Sequence, residues 1–472
     1  MMKTTYILFY TLFLAAIVSL SSCKKPLSFS NGNLSFSADT LVFDTVFTTI
    51  GSVTKRLKIY NNSKKTLKID QIELVGGANS PFRINVDGSP GTQFGDIEMD
   101  PKDSLFIFVE VTLDPNNQSN PMVIEDQIRF LTNGTNQYVQ LAAWGQDAYF
   151  HYSYISEGIL DTNEGTWPND KPHVIYGGAF IDSARTLTIQ AGTDIYLHKN
   201  AILYNYKGTL NINGTYNNEV TFQGDRLDAA YNDVSGQYYG IYFQEARPST
   251  INYAIIKNGS TGIHVFSEDP SNSDYTVTVT NTKIFNNASY GIFIYSGAKV
   301  KAENCVIAKN GIHAMICLEG GDFNFNHCHL LGYGNGEDQT AAIGIRNYFT
   351  RPDGNGIPTT FIGSINEGKI YNSVIYGNYD QEYIIDTLPG ATLNFDFQRN
   401  HIRASVPSDA FFTNGNTFNI DPAFKSPSIY DFSFFSTSPL IGGADPGIPA
   451  SSLSDIEQKP RDGSPDIGAY EF

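Results

Sequence analysis

The sequence predicts an all-β protein with two architectures in series, a β-sandwich followed by a parallel solenoid. The 472 residues include 42 Gly, 28 Tyr and 32 Phe, a composition typical of many short strands joined by turns. Apolar residues at helical spacing are nearly absent from the mature part of the chain. From about position 175 the pattern changes to a recurring motif with a basic unit near 23 residues, which indicates stacked coils.

The first residues have the pattern of an export signal. Residues 1–22 combine the positive charge of Lys3 with an apolar stretch from Ile7 to Leu20, which is too short to cross a membrane comfortably. The segment Leu20-Ser21-Ser22-Cys23 resembles the bacterial lipobox. This resemblance implies cleavage before Cys23, a lipid on its sulfur and attachment to a membrane. The alternative is an ordinary signal peptide with a chance cysteine.

Charge and cysteine content narrow the location and partners. Lys24 and Lys25 stand where inner-membrane lipoproteins carry Asp, which favours an outer-membrane lipoprotein with residues 23–32 as its tether. The net charge of −17 argues against nucleic acid as a partner, because phosphate binding needs a basic surface. Apart from Cys23, only Cys305, Cys317 and Cys328 are present, without metal-ligand spacing. No zinc site is therefore predicted, and calcium is the one cofactor left open.

Residues 33–150 are predicted to form one β-sandwich. Apolar and polar residues alternate in "LKIY" (57–60) and "FIFVEV" (106–111), and Asn- and Gly-rich turns separate such runs. The pieces "RLKIYNNSKKTLKIDQIEL", "SPFRI", "IEMDPKDSLFIFVEVTLDP" and "YVQLAAWGQ" resemble, in order, immunoglobulin-like domains of the ASH and choice-of-anchor D type. The resemblance implies a spacer or adhesion module.

Residues 151–420 are predicted to form a right-handed parallel β-helix. One template begins at Asn252, Asn281, Asn304 and Asn372, and His327 takes the place of Asn in a fifth copy. The intervals between successive copies are 29, 23, 23 and 45, so longer coils carry insertions. In-register coils stack like residues about 4.8 Å apart, which lets an Asn column hydrogen-bond along its length. Asn also tolerates the left-handed backbone of a corner.

Two cysteines test this register. Cys305 and Cys328 are separated by one basic repeat interval, so both should face the core in adjacent coils. We expect stacked thiols and not a disulfide, because directly stacked parallel positions suit disulfide geometry only marginally.

Residues 421–472 show the most specific resemblance. The pieces "DPAFKSPSIYDFSFFSTSPLIGGADPG" and "DIEQKPRDGSPDIGAYEF" are similar to the closing segment of many bacterial β-helix proteins, called choice-of-anchor Q. The resemblance implies a terminal rung and a cap over the open end of the solenoid. Such proteins include lyases, hydrolases, epimerases and binders, so the fold does not determine an activity.

The sequence contains no catalytic motif, only weak candidates. The repeat places His329 and Arg346 on outward positions of neighbouring coils, where a base and a carboxylate-binding cation would share a face. The plain alternative is a pair of exposed polar residues. The acidic loop with Glu268, Asp269 and Asp274 offers oxygen ligands for calcium, or is simply a solvated loop.

One outward face is unusually apolar. If Ile263 and Ile292 face inward, alternation sends outward a set of mostly aromatic residues, namely Tyr242, His264, Phe266, Phe293 and Tyr295, with Ile316 and Leu318. An apolar solenoid face either binds something or is covered by another segment. We therefore predict a cell-envelope lipoprotein that binds a glycan or another envelope component without catalysis. The alternatives are a polysaccharide lyase or related enzyme, and a structural spacer.

Overall fold

The computed structural model describes residues 29–47, 51–113, 122–153, 162–268, 274–334, 341–405, 410–412 and 414–472. They form two compact units that divide between Gln146 and Asp147. Within these ranges the regular elements are strands and four short 3-10 turns, Gly77–Asn79, Ala229–Tyr231, Ala410–Phe412 and Pro427–Ile429. None of the described helices is long and apolar enough to cross a membrane. The all-β fold class is confirmed.

The first unit is an immunoglobulin-like sandwich of two five-stranded sheets. One sheet contains, in spatial order, Ser35–Phe36, Lys55–Tyr60, Ser104–Val111, Phe82–Val86 and Ser89–Gly91. The other contains Thr40–Phe47, Thr135–Gln146, Met122–Thr132, Leu67–Leu74 and Gln93–Met99. The alternation read from the sequence decides which side chains are buried: Leu57 and Ile59 are fully enclosed between the sheets, whereas Arg56 points to solvent.

Within the described residues, the second unit is a right-handed parallel β-helix with three sheets, numbered here in the order in which a coil passes through them. Solenoid sheet 1 has eleven strands: Tyr149–Tyr152, His173–Tyr176, Asp194–Leu197, Val220–Gly224, Ala254–Lys257, Lys283–Phe285, Val306–Ala308, His329–Gly332, Val374–Gly377, His401–Ile402 and Thr417–Phe418. Solenoid sheet 2 has eight: Gly178–Ile181, Ile202–Tyr206, Gly240–Gln244, Thr261–Phe266, Tyr290–Tyr295, His313–Leu318, Ile343–Arg346 and Tyr383–Asp386. Solenoid sheet 3 has nine: Gly165–Trp167, Thr186–Gln190, Thr209–Asn213, Ser249–Asn252, Val277–Thr280, Lys299–Glu303, Asp322–Asn326, Ile365–Tyr371 and Leu393–Gln398.

The interior of the solenoid is a continuous stack of apolar side chains. In solenoid sheet 2, Ile263 pairs with Ile292, which pairs with Met315, and all three are fully buried. Cys305 and Cys328 are buried free thiols in adjacent coils, as the repeat register predicts. Each coil buries too little alone to fold, so the stack provides the stability.

A column of left-handed residues turns the chain between solenoid sheets 3 and 1. Asn281, Asn304, His327 and Asn372 have φ values of 50, 53, 50 and 46°, as expected for a corner. Asn252 does not occupy this position, which belongs to its neighbour Tyr253 at 47°. The pairing of Ile256 with Ile284 shows why: along solenoid sheet 1 this coil is one residue shorter than the spacing of the sequence template. Asn252 still accepts a hydrogen bond from Asn281 Nδ2 (2.9 Å).

The C-terminal segment, residues 421–472, lies along the outer face of solenoid sheet 1, and not over the end where the resemblance implies a cap. A hairpin of Phe424–Ser426 and Asp431–Phe434 and the chain that follows it pack on outward side chains that include Val306, Leu331 and Val374. The end of the core is closed instead by Phe412, whose ring lies 4.9 Å from that of Tyr383. The repeat pattern locates the coils, but gives no information about where a segment outside the repeat packs.

Candidate functional site

The three outward faces of the solenoid differ in chemistry. On solenoid sheet 3 one outward column is polar in every paired coil: Thr188, Asn211, Thr250, Thr278, Lys301, Asn324, Lys369 and Asp396. The outward face of solenoid sheet 1 is apolar where the C-terminal segment covers it. The outward face of solenoid sheet 2 is aromatic, and its side chains are half-buried. This last face, called the aromatic face below, is the candidate site.

The predicted residues share the aromatic face in two parallel columns. The inner column contains Phe180, Tyr204, Tyr242, His264, Phe293 and Ile316. The outer column, two residues further along each strand, contains Tyr206, Gln244, Phe266, Tyr295 and Leu318. In-register pairing therefore brings together all five residues that the sequence nominates for ligand binding, Tyr242, His264, Phe266, Phe293 and Tyr295.

Rings of the inner column stack on one another. Tyr204 and Tyr242 are 5.1 Å apart with planes inclined by 4°, and Tyr242 and His264 are 4.5 Å apart at 28°. His264 and Phe293 follow at 4.4 Å and 12°. Because each ring face lies against another ring, only the ring edges of this column point outward. The inner column stabilises the solenoid and offers few ring faces to a ligand.

His264 is held in the neutral form within this stack. Its Nδ1 forms a 2.8 Å hydrogen bond with the Tyr239 hydroxyl. Burial lowers the pKa of His264 to about 4, so the ring is uncharged at neutral pH and behaves as an aromatic member of the column.

The outer column is interrupted at Gln244, and a groove of about 710 Å³ opens there. Gln244 lies between Tyr206 and Phe266, and its side chain is held down by a hydrogen bond from the Tyr204 hydroxyl. Tyr206 and Phe266 are thus two coils apart, about 10 Å along the axis. A flat ring between them needs about 7–8 Å, two carbon contacts of about 3.5–4.0 Å each. The gap has the width for one such ring.

Charged and polar groups form the rim of this groove. Lys207, Glu245, Arg247 and Glu268 line it together with Ser183. The Glu245 carboxylate accepts hydrogen bonds from the Ser267 hydroxyl (3.1 Å) and the Glu268 backbone N–H (2.7 Å). This rim offers donors and acceptors beside two aromatic rings, the composition of a site that orients a polar ligand.

A β-hairpin borders the other end of the aromatic face. Its strands, Tyr348–Pro352 and Pro358–Ile362, carry Arg351, whose Nε and Nη2 donate to the Glu319 carboxylate at 3.2 and 3.0 Å. The ring of Phe349 meets that of Tyr295 edge-on at 6.3 Å. The hairpin therefore packs beside the outer column and partly shields Tyr295.

The structure separates the two weak catalytic candidates. His329 is outward on solenoid sheet 1, but the C-terminal segment encloses it completely, with the rings of Phe424 and Tyr470 at 5.3 and 5.5 Å. Arg346 lies on solenoid sheet 2, where it is exposed and pairs with Asp386 at 3.1 Å. The expectation of a shared face was wrong, because the two strands belong to different sheets, and a buried His329 has no access to a substrate.

Two of the three calcium candidates, Glu268 and Asp274, lie within the described residues. Glu268 is exposed at the groove rim and its N–H bonds to Glu245, and Asp274 is exposed at the far side of the loop. Asp269 lies outside the described residues, as does Cys23. Among the residues that are described, no three His, Cys, Asp or Glu side chains are grouped closely enough to hold a metal ion.

Sequence reasoning missed most of the groove. Gln244 shares a strand with Tyr242, whereas Tyr206 and Lys207 belong to the preceding coil, and the repeat is recognisable only from Gly240 onward. The preceding coil, in which Ile202 pairs with Gly240, is much longer than the basic repeat. It includes the excursion around Ala229–Tyr231, which hides the match. The signal is present in the alternation of "ILYNY" (202–206).

Comparison with known proteins supports the solenoid and little more. A family model described as a right handed beta helix region matches residues 169–330, about a third of the chain. No curated protein gives a significant match.

Solved structures with some similarity include a family 123 glycoside hydrolase from Clostridium perfringens, at 7% identity over 25% of this chain and 30% of that one, with a TM-score of 0.18. The ASH/PapD-like domain of human CEP192 has 12% identity over 27% of this chain and 94% of that one, with a TM-score of 0.17. The Agl-KA catalytic domain has 9% identity over 73% and 80%, with a TM-score of 0.14. The chain spans under a third of the hydrolase, and TM-scores this low carry no argument about activity.

Proposed function

We propose that this protein is a cell-envelope lipoprotein of the outer membrane that binds a glycan, without cleaving it, in the groove at Gln244. The observation that carries the proposal is the contrast between the three outward faces. The same solenoid is polar where it meets water and apolar where a segment covers it. The aromatic face follows neither pattern, because it is apolar and still half-exposed. A bound ligand would shield its rings from water.

The chemistry of the groove favours a carbohydrate. Sugar rings present C–H faces that stack on aromatic side chains, and hydroxyl groups that need both donors and acceptors. Tyr206 and Phe266 supply the rings, while Glu245, Lys207 and Arg247 supply acceptors and donors at the rim.

Binding without cleavage is supported by the separation of the two catalytic groups that the sequence nominates. Proton abstraction beside a sugar carboxylate needs a base and a cation within reach of the same atoms. His329 is enclosed under the C-terminal segment and Arg346 is paired with Asp386 on a different sheet. The groove itself is lined by carboxylates and cations that suit hydrogen bonding to hydroxyl groups.

A glycan-array screen with residues 29–472 tests the proposal, followed by affinity measurement on the glycan selected. Tyr206→Ala and Phe266→Ala should each weaken binding by at least about tenfold, or about 1.4 kcal/mol. Tyr379→Ala and Phe435→Ala are matched controls, because these rings are 39% and 52% exposed elsewhere in the second unit, and should leave binding unchanged.

Gln244→Phe provides a sharper variant. A ring at this position would close the gap between Tyr206 and Phe266 and should abolish binding with stability kept or raised. Retained binding in Gln244→Phe would place the ligand elsewhere. Depolymerisation of the glycan by the wild type would support a polysaccharide lyase or related enzyme, and the absence of any glycan binding would support a structural spacer.

A further inference from the structure

The outer face of one sandwich sheet combines exposed phenylalanines with cations. In strand Ser104–Val111, Phe106 and Phe108 are 40% and 36% exposed, while Ile107 and Val109 between and beside them are fully buried. This strand is central, with partners on both sides. Two adjacent outward rings, 6.4 Å apart, in the middle of a sheet form a patch and not scattered surface residues.

Cations flank these rings in register. Lys58 pairs with Phe106 across the strands and Arg56 pairs with Phe108. The Lys58 ammonium lies 5.1 Å from the Phe106 ring and 5.3 Å from the Tyr60 ring. We call this set of five side chains the aromatic-basic face.

The opposite outer face of the sandwich differs. There the cations are neutralised by acidic partners, Lys68 by Asp96 at 2.6 Å and Arg129 by Glu73 at 2.6 Å. In the described part of the chain, neither Arg56 nor Lys58 forms an ion pair with a carboxylate. Their charge is available to a partner that brings its own negative groups.

More lysines surround the end of the sandwich where the chain enters. Phe29 bridges to Thr66, directly after the turn that leaves strand Lys55–Tyr60. That turn contains the exposed Lys64 and Lys65, and Lys102 donates to Asn62 O within it (2.5 Å). Basic groups thus continue from the aromatic-basic face to the start of the described chain.

The basic character of this face is local. Residues 147–472 contain 19 Lys and Arg against 35 Asp and Glu, and residues 29–146 contain 9 against 13. Both units are therefore net acidic, and the aromatic-basic face departs from the overall charge of the unit that carries it.

We infer that the aromatic-basic face docks on an anionic lipid surface. This inference goes beyond glycan binding and shares with the proposed function only the lipid on Cys23. Phe29 is the sixth residue after Cys23, and a fully extended chain of that length reaches at most about 20 Å. The tether thus keeps this unit at the bilayer surface, where each Lys or Arg gains about 1 kcal/mol from anionic headgroups. Exposed Phe rings add apolar contact at the interface.

The test uses residues 29–472, which lack Cys23, so that neither acylation nor glycan binding affects the result. Co-sedimentation is measured with vesicles of phosphatidylglycerol and phosphatidylcholine, and with phosphatidylcholine alone. We expect binding to the anionic vesicles that decreases with added salt. The double variant Arg56→Glu/Lys58→Glu should bind at least about tenfold more weakly, and Phe106→Ser/Phe108→Ser should also lose binding.

Matched controls separate this face from general charge. Lys199→Glu/Lys425→Glu makes the same change in net charge on exposed residues of the second unit, and should bind like the wild type. Tyr138→Ser/Trp144→Ser removes rings that are 46% and 39% exposed on the other sandwich sheet, and should also bind normally. Thermal melting checks that each variant is folded, and Lys58→Gln gives a milder charge change.

Three results would overturn the inference. The first is wild-type protein that does not bind anionic vesicles. The second is a loss of binding in the control pairs as large as the loss in the variants of the aromatic-basic face. The third is self-association in the absence of vesicles that Phe106→Ser/Phe108→Ser abolishes, since the face would then be a protein interface. A failed glycan screen would leave the vesicle result unaffected, because the groove lies in the other unit.

Discussion

Truncation of Phe293 to Ala should lower stability without affecting the groove. The Phe293 ring stacks on His264 at 4.4 Å and contacts Tyr290 and Tyr295 at 5.2 and 5.6 Å. Removal of a fully buried Phe costs about 3–5 kcal/mol, and each aromatic pair adds about 0.5–1.5 kcal/mol. Because Phe293 is half-buried, we expect a loss of about 2–3 kcal/mol in the free energy of unfolding.

Urea denaturation of residues 29–472, followed by tyrosine and tryptophan fluorescence and circular dichroism, measures this loss. The transition of the second unit should move to lower urea with an unchanged slope, while glycan affinity stays within about twofold of the wild type. Phe266→Ala is the counterpart and should lose affinity with a smaller loss of stability. The reasoning is refuted if Phe293→Ala loses binding and keeps its stability, since the ring would then face a ligand and not its neighbours.

Other substitutions test the core, the C-terminal segment and the anchor. Ile307→Asp should give no soluble folded protein, because it buries an unpaired charge, whereas Ile307→Val should cost about 0.5–1.5 kcal/mol in urea denaturation. Arg461→Met leaves Glu471, its partner at 2.8 Å, buried without a cation, and should destabilise by about 3–5 kcal/mol. Burial lowers the pKa of His329 to about 3, so the unfolded state binds the extra proton and stability should fall as pH decreases from about 6.5. His329→Leu should reduce that fall and raise stability at neutral pH by about 1 kcal/mol. Cys23→Ala should move the protein from the membrane fraction to an unprocessed or soluble form.

The coil repeat is predictable because it is a local property of the chain. Corner geometry demands residues that tolerate positive φ, and interior packing demands alternation, so both leave marks at a regular spacing. On that basis the repeat places Asn281, Asn304 and His327 correctly. It is one position off at Asn252, since Tyr253 takes the corner there.

The error at Asn252 comes from a coil whose length differs between sheets. Ile256 pairs with Ile284 on solenoid sheet 1, whereas Ile263 pairs with Ile292 on solenoid sheet 2. The same coil is therefore one residue longer along the second sheet than along the first. A single spacing cannot align both strands, and the sequence alone does not say at which corner the extra residue lies.

The surroundings of the site are less predictable because they depend on distant segments. His329 is outward from its coil, as the alternation predicts, but residues near Gly468 close over it. The groove depends on a non-aromatic residue at Gln244 between two rings, a contrast visible only once the coils before and after are aligned. Alternation indicates the direction of a side chain, whereas its exposure is decided by whatever packs on that face.

The hairpin makes the two ends of the aromatic face different. Arg351 binds Glu319, whose side chain is only 7% exposed, so the pair is held against the solenoid and fixes the hairpin beside Tyr295. A sugar ring held flat between Tyr206 and Phe266 has aromatic rings against both of its faces, so the rest of the glycan leaves through the ring edge, across the axis of the solenoid. The hairpin stands one coil beyond Phe266, where Phe349, 37% exposed, lies beside Tyr295. The chain should therefore run past the polar rim that contains Lys207, Arg247 and Glu268, and not along the aromatic face toward the hairpin.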